Sequence, residues 1–78
     1  MSTNDDKLDG ITVFVRVVET GRFSKAAELL GHSTSYISKE VTRLENRLGV
    51  RLLNRSTRTL RLTEIGKTYY ERCQQILA

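Results

Sequence analysis

Ser33-Thr34-Ser35-Tyr36-Ile37-Ser38-Lys39-Glu40-Val41-Thr42-Arg43-Leu44-Glu45-Asn46-Arg47-Leu48, followed by Gly49, reads as one amphipathic helix. Ile37, Val41, Leu44 and Leu48 recur at steps of four, three and four, so they share a single apolar stripe. Thr34, Ser35, Ser38, Lys39, Thr42 and Arg43 take the opposite side. A face that only keeps a helix in water favours long Glu and Lys side chains. Short hydroxyls beside one or two cations suit close approach to another polar surface. The major groove of DNA is one such surface, because its base edges donate and accept hydrogen bonds between flanking phosphates. A solvated face remains the alternative for this helix taken alone.

The segment just before it narrows the choice. Phe23-Ser24-Lys25-Ala26-Ala27-Glu28-Leu29-Leu30 predicts a short helix with Ser24 as N-cap and Ala26, Ala27, Leu29 and Leu30 as its contact face. The paired alanines allow two helix backbones to approach closely. Gly31 breaks the helix, His32 follows in the turn, and Ser33 caps the next helix. A two-turn helix, a glycine turn and a longer helix whose polar face begins at its N-terminus form a helix-turn-helix. That geometry sets the first residues of the second helix against base edges. His32 has no Cys/His cluster around it in sequence and is expected to be an ordinary turn histidine.

Charge points the same way. The chain has 78 residues and a net charge of +4. Residues 39–61 hold Lys39, Arg43, Arg47, Arg51, Arg55, Arg58 and Arg61 against Glu40 and Glu45, a local balance of +5, which leaves −1 for the remainder. A basic block beside a reading helix is the footprint expected for a polyanion partner. Six of its seven cations are arginine, whose fork matches phosphate and guanine better than an ammonium does.

Downstream, Gly49-Val50 predicts a left-handed stop with an apolar residue folding back. Arg51-Leu52-Leu53-Asn54 and Leu60-Arg61-Leu62 read as two short strands around Arg55-Ser56-Thr57-Arg58-Thr59. No Asn-Gly or Gly-X pair marks a tight turn, so an open, protruding loop is expected. Such a hairpin behind a helix-turn-helix is a wing, with Arg55 and Arg58 along the phosphates or in the narrower groove. The alternative is an edge hairpin kept soluble by charge.

Upstream, a first helix is predicted to start near Asp6, with Asp9 favouring its N-terminal dipole. Leu8, Ile11, Phe14, Val15 and Val18 share one face, Val13 and Val17 widen it, and Gly21 ends it. The last helix opens at Thr63 as N-cap. Ile65, Tyr69, Cys73, Ile76 and Leu77 keep the spacing of an apolar seam flanked by Tyr70. The outer part of that seam is expected to pair with the same helix of a second copy, as two-fold dimers do on paired half-sites. The chain stops in mid-pattern, without a C-cap, which predicts that it is a piece of a longer protein.

Other classes find little support. No apolar run is as long as a membrane span. The polar, acidic start is unlike a signal peptide. A single cysteine forms no internal disulfide and fits a reducing cytoplasm. Neither a metal cluster, nor a Gly-rich phosphate loop, nor a nucleophile beside a base is legible, so an enzyme is not expected, and no cofactor or metal.

From about residue 7 to 78 the chain resembles the N-terminal DNA-binding domain of LysR-type transcriptional regulators. The residues carrying the resemblance are Phe14-Val15, Val18-Glu19-Thr20-Gly21 and Phe23-Ser24-Lys25-Ala26-Ala27-Glu28-Leu29-Leu30-Gly31. They continue with Ile37-Ser38-Lys39-Glu40-Val41 and with Leu44-Glu45-Asn46-Arg47-Leu48-Gly49-Val50-Arg51-Leu52-Leu53-Asn54-Arg55. Thr57-Arg58, Leu60-Arg61-Leu62-Thr63-Glu64 and Gly66 complete them. The resemblance implies a mainly α fold, a winged helix-turn-helix with a three-helix core and a two-stranded β wing. This would fill residues 7–62, with the helix-turn-helix at about 24–48 and the wing at about 51–62. A long linker and dimerisation helix follows over 63–78, and an effector-binding domain is expected outside this chain.

The same resemblance implies a bacterial cytoplasmic regulator that binds an interrupted palindromic operator in double-stranded DNA. It would act as a homodimer through the linker helix, as a tetramer at full length, with RNA polymerase as a further partner and a small molecule as inducer. By position, base reading falls on Thr34, Ser35, Ser38 and Lys39, with Tyr36 and Arg43 beside them. Phosphate and wing contacts fall on Ser24, Ser33, Thr42, Arg55, Ser56, Thr57 and Arg58. Many members carry Gln-Pro where Thr34-Ser35 stand and Arg where Lys39 stands. Threonine does not make glutamine's bidentate contact to adenine, so the resemblance carries over groove and register but not the identity of the bases read. A general DNA-architectural or protein-binding winged helix is the competing reading, and binding to random duplex separates it from a regulator.

Overall fold

Gly10–Thr20 forms α1, Phe23–Leu30 forms α2, Thr34–Leu48 forms α3, Leu53–Asn54 and Arg61–Leu62 form β1 and β2, and Glu64–Leu77 forms α4. These elements come from a computed structural model that describes residues 10–55 and 60–77. The expected start at Asp6, Leu8, Asp9, the wing residues Ser56, Thr57 and Arg58, and the side chain of Leu77 lie outside the described residues.

Helix α1 is rich in β-branched residues, which are weak helix formers, and burial holds it. Val13, Phe14, Val15 and Val17 are buried at the centre of the molecule. Each such side chain contributes about 1.5–3 kcal/mol when removed from water. Helix α3 presses Ile37, Val41 and Leu44 onto them, and α2 closes the third side with Ala26 and Ala27. A 3.4 Å approach between the Leu44 side chain and the point where a methyl on Gly10 would sit shows how closely α1 and α3 cross.

Both ends of α3 are capped as expected. Ser33 Oγ accepts from the Tyr36 amide at 3.1 Å, and Gly49 at φ 74° donates to Glu45 O at 2.8 Å. Gly31 ends α2 at φ 72°, a left-handed turn that lets both its own amide and that of His32 bond the Ala27 carbonyl.

In α2 and α3 three expectations need correction. Helix α2 begins at Phe23 with Arg22 as N-cap and no side-chain cap bond, so Ser24 lies in its first turn. The half-buried Phe23 ring, packed against the core, sets this start. Leu29 is not a contact residue, being 66% exposed. The inward face of α2 is Phe23, Ala26, Ala27 and Leu30, and Leu29 falls outside that spacing. Leu48 is exposed as well, because Glu45, four residues after Val41, takes the inward place in the last turn of α3.

The wing strands pair antiparallel, Leu53 with Leu62 and Asn54 with Arg61. They are shorter than expected. Beyond these two pairs one more backbone bond links the strands, from the Thr63 amide to the Leu52 carbonyl at 3.0 Å, while side chains take other polar groups of Arg51 and Leu52. The Leu52 amide donates to Glu45 Oε2 at 2.8 Å, and the Arg51 carbonyl accepts from Thr63 Oγ1 at 2.6 Å. Thr63 caps α4 as predicted, its hydroxyl accepting from the Gly66 amide at 2.9 Å.

The inward face of α4 runs Gly66, Tyr69, Tyr70 and Cys73. Phe14 meets Tyr69 and Tyr70 at centroid distances of 5.7 and 6.3 Å, both at angles favoured by aromatic pairs. Cys73 is sealed within the core of this chain. That corrects its assignment to a seam between two copies, since a residue 1% exposed in the single chain has no surface left for a partner, whereas Ile65 and Ile76 are exposed.

Ile37→Ala should lower unfolding free energy in urea by roughly 2–5 kcal/mol, whereas Leu48→Ala at its exposed position should cost about 0.5 kcal/mol or less. Equal losses at the two positions would mean that the faces of α3 are assigned the wrong way round.

Candidate nucleic-acid interface

Helix α3 is amphipathic in the sense the sequence requires. While Ile37, Val41 and Leu44 are buried, Thr34, Ser35, Lys39 and Arg43 are exposed, and Ser38 and Thr42 are half-buried. Tyr36, Ser38, Lys39, Glu40, Thr42 and Arg43 line one open depression of about 520 Å³ along the helix. Arg43 is 73% exposed and only loosely held, its Nη1 lying 3.4 Å from Glu40 Oε2. An exposed i,i+3 pair of this kind stabilises little and opens at little cost, so the guanidinium is available to an incoming anion.

Tyr36 has a different place from its neighbours. Its ring is half-buried against the core and stacks on His32 at 4.4 Å with 21° between planes. The pair braces the turn against the first turn of α3, so the ring supports the hydroxyls beside it more than it offers an exposed reading edge. Ser33 likewise spends its Oγ on the Tyr36 amide. Ser24 is exposed on the first turn of α2.

The wing departs most from what the residues alone indicate. Arg55 is not a free tip residue. Its side chain is 28% exposed, its Nη1 donates to Thr42 Oγ1 at 3.1 Å, its Nη2 lies 3.5 Å from Glu45 Oε1, and its Cζ sits 5.1 Å from the Phe23 ring centroid. A single guanidinium therefore touches α2, α3 and the wing. Arg51 keeps its charge outside, 77% exposed and 3.9 Å from Glu45 Oε1.

Glu45 is the functional-site residue that sequence reasoning missed. It is 4% exposed. Its Oε2 accepts from the Leu52 and Leu53 amides at 2.8 and 3.1 Å, and two arginines neutralise its charge. A buried carboxylate needs such partners to avoid a large desolvation penalty. One signal was available: Glu45 stands four residues after Val41, on the apolar stripe itself.

On α4, Glu64, Ile65, Thr68, Tyr69, Arg72 and Ile76 line an apolar groove of about 590 Å³. Among the described residues no helix is long and apolar enough to cross a membrane, and no group of three or more His, Cys, Asp or Glu stands ready to hold a metal.

Comparison with known proteins places this arrangement. Residues 8–67 match the family described as bacterial regulatory helix-turn-helix protein, lysR family. Over 77 residues the chain is 56% identical to the HTH-type transcriptional regulator CrgA of Neisseria meningitidis serogroup C, covering 99% of this chain and 25% of that protein. It is 49% identical over 72 residues to the HTH-type transcriptional activator AaeR of Escherichia coli K12, covering 92% and 23%. Among solved structures it is similar to one described as a BenM_DBD/catB site 1 DNA complex, with TM-score 0.85, 34% identity, and coverage of 87% of this chain and 73% of that one. The chain thus spans about a quarter of the length of the two regulators. With the family matched over most of its residues and the helix-turn-helix, the paired strands and the following helix in place, the chain belongs to the LysR family of bacterial helix-turn-helix regulatory proteins.

Proposed function

We propose that this chain is the operator-binding part of a bacterial transcription regulator. Helix α3 enters the major groove and reads bases with Thr34, Ser35, Ser38 and Lys39, while Arg43 and the wing engage phosphates or the adjacent minor groove. The observation that carries this reading is the outward polar face of α3, opposite a fully buried Ile37–Val41 stripe, in a fold shared with a domain described in complex with DNA. The relatives are named as transcriptional regulators, and the chain is read as a binding module with no catalytic role. The exposed Ile65 and Ile76, with Tyr69 between them, support pairing of α4 with α4 of a second copy over an interrupted palindrome. A tetramer at full length, contact with RNA polymerase, a small-molecule inducer and a cytoplasmic location complete the proposal.

Selection of bound sites from a random duplex pool tests it. The selected site should be bound about a thousandfold or more above random duplex, with affinity falling steeply as salt rises. Lys39→Ala should lower that preference by roughly 10–100-fold, the loss expected for one good base contact. Equal affinity for selected and random duplex would refute the proposal.

A further inference from the structure

The contacts of Arg55 carry more than a phosphate ligand requires. Cations that serve phosphates stand out in water, as Arg43 and Arg51 do here. Arg55 instead has its fork turned inward. One nitrogen holds the Thr42 hydroxyl at 3.1 Å, another lies 3.5 Å from the buried Glu45 carboxylate, and the plane rests on Phe23. Thr42 lies four residues after Ser38 and three after Lys39, on the reading side of α3, and its hydroxyl sits 13 residues from Arg55 in the chain.

We infer that Arg55 is a positioning residue for base selection: it fixes the roll of α3 against the wing through Thr42. This rests on the reading of α3 as the base-reading helix. A planar, multi-donor fork does what an ammonium cannot, because it binds a hydroxyl while keeping its charge 3.5 Å from a carboxylate and its flat face on an aromatic ring, in one fixed geometry. When the fork is lost, α3 and the wing keep their charges but not their mutual angle. Contacts that depend on register with base edges weaken, while phosphate contacts that tolerate small rotations persist.

The test uses the selected site and a random duplex of equal length, with Arg55→Lys, Thr42→Val and the double variant of the chain. Arg55→Lys keeps the charge, so the salt slope should stay as in the wild type. Each single variant should lower the ratio of selected-site to random affinity by about tenfold, and the double variant by about tenfold also, since both break the same strut. Thr42→Ser, which keeps the hydroxyl, should retain the wild-type ratio. An unchanged ratio in Arg55→Lys, or losses that multiply in the double variant, overturns the inference while leaving base reading by α3 intact. A wild type with no preference for the selected site overturns the base-reading proposal and this inference with it. If circular dichroism shows Arg55→Lys unfolded, Thr42→Val decides alone. It leaves the Arg55–Glu45 pair and the core in place, and a wild-type ratio there rules out the strut.

Discussion

Glu45→Ala is expected to remove roughly 3–5 kcal/mol of stability, the loss typical of breaking a buried ion pair, here a carboxylate held by two backbone amides and lying 3.5 Å from the Arg55 guanidinium without a hydrogen bond between them. Two backbone donors, the amides of the buried Leu52 and Leu53, lose their acceptor, at about 1–3 kcal/mol for each group left unsatisfied. The half-buried guanidinium of Arg55 loses its counter-charge at the same time. A protein of this size holds only about 4–12 kcal/mol in all, taking ~0.05–0.15 kcal/mol per residue. The change therefore consumes a large share of the total, and the isolated variant should be partly unfolded at 37 °C. Glu45→Gln separates the contributions. Its amide oxygen still accepts from Leu52 or Leu53, but the charge opposite Arg51 and Arg55 is gone, so its loss should fall between wild type and Ala. Urea denaturation followed by circular dichroism gives all three values. A Glu45→Ala variant as stable as wild type would show that water replaces the carboxylate and that the wing needs no anchor on α3.

Gly66→Ala opposes two effects of different size. In an isolated helix the change favours folding by about 1 kcal/mol, because alanine is the better helix former. Here a methyl on Gly66 would overlap the Leu52 carbonyl oxygen and lie 3.0 Å from its carbonyl carbon. Both partners are backbone, one in the first turn of α4 and the other already bound to the Thr63 amide at 3.0 Å, so neither can swing aside. Overpacking a site that can relax costs about 1–3 kcal/mol, and a clash with backbone belongs at the upper end or above it. The net expectation is a loss of about 2–3 kcal/mol. With ~4–8 °C of Tm per kcal/mol in a domain of this size, that is a fall of roughly 10–20 °C, readable in a thermal melt. An unchanged or raised Tm would mean that α4 is free to move off the Leu52 backbone.

What could be read from the residues, and what could not, follows from the range of the interactions involved. The α3 stripe, the caps at Ser33 and Thr63 and the left-handed stops at Gly31 and Gly49 are local. Each is decided by residues within about one turn, and, Leu48 at the end of the stripe apart, each stands where the residues put it, Gly31 adding a left-handed geometry to the break expected there. Glu45 escaped because its acceptors' partners are backbone amides seven and eight residues away, which no side-chain periodicity reveals. Apolar spacing alone puts Leu29 and Leu48 inside, because it does not say where a neighbouring helix ends. Cys73 was given to a second copy because the seam of α4 carries two overlapping apolar lines. Only the position of Phe14 beneath Tyr69 and Tyr70 shows which of them faces the core. Arg55 was read by its charge, and its true neighbours lie on two other helices.

The ties that fasten the wing also bear on the order in which the parts can come together. Glu45 reaches Leu52 across seven residues, Thr63 reaches Leu52 across 11, and Arg55 reaches Thr42 across 13. The clasp of Phe14 on Tyr69 spans 55 residues of chain. Closing that span costs roughly 2 kcal/mol more entropy than closing one of seven. Helix α3 and the strand pair after it therefore share the less demanding closures, and of the ties named here the clasp between the first and last helices is the most demanding.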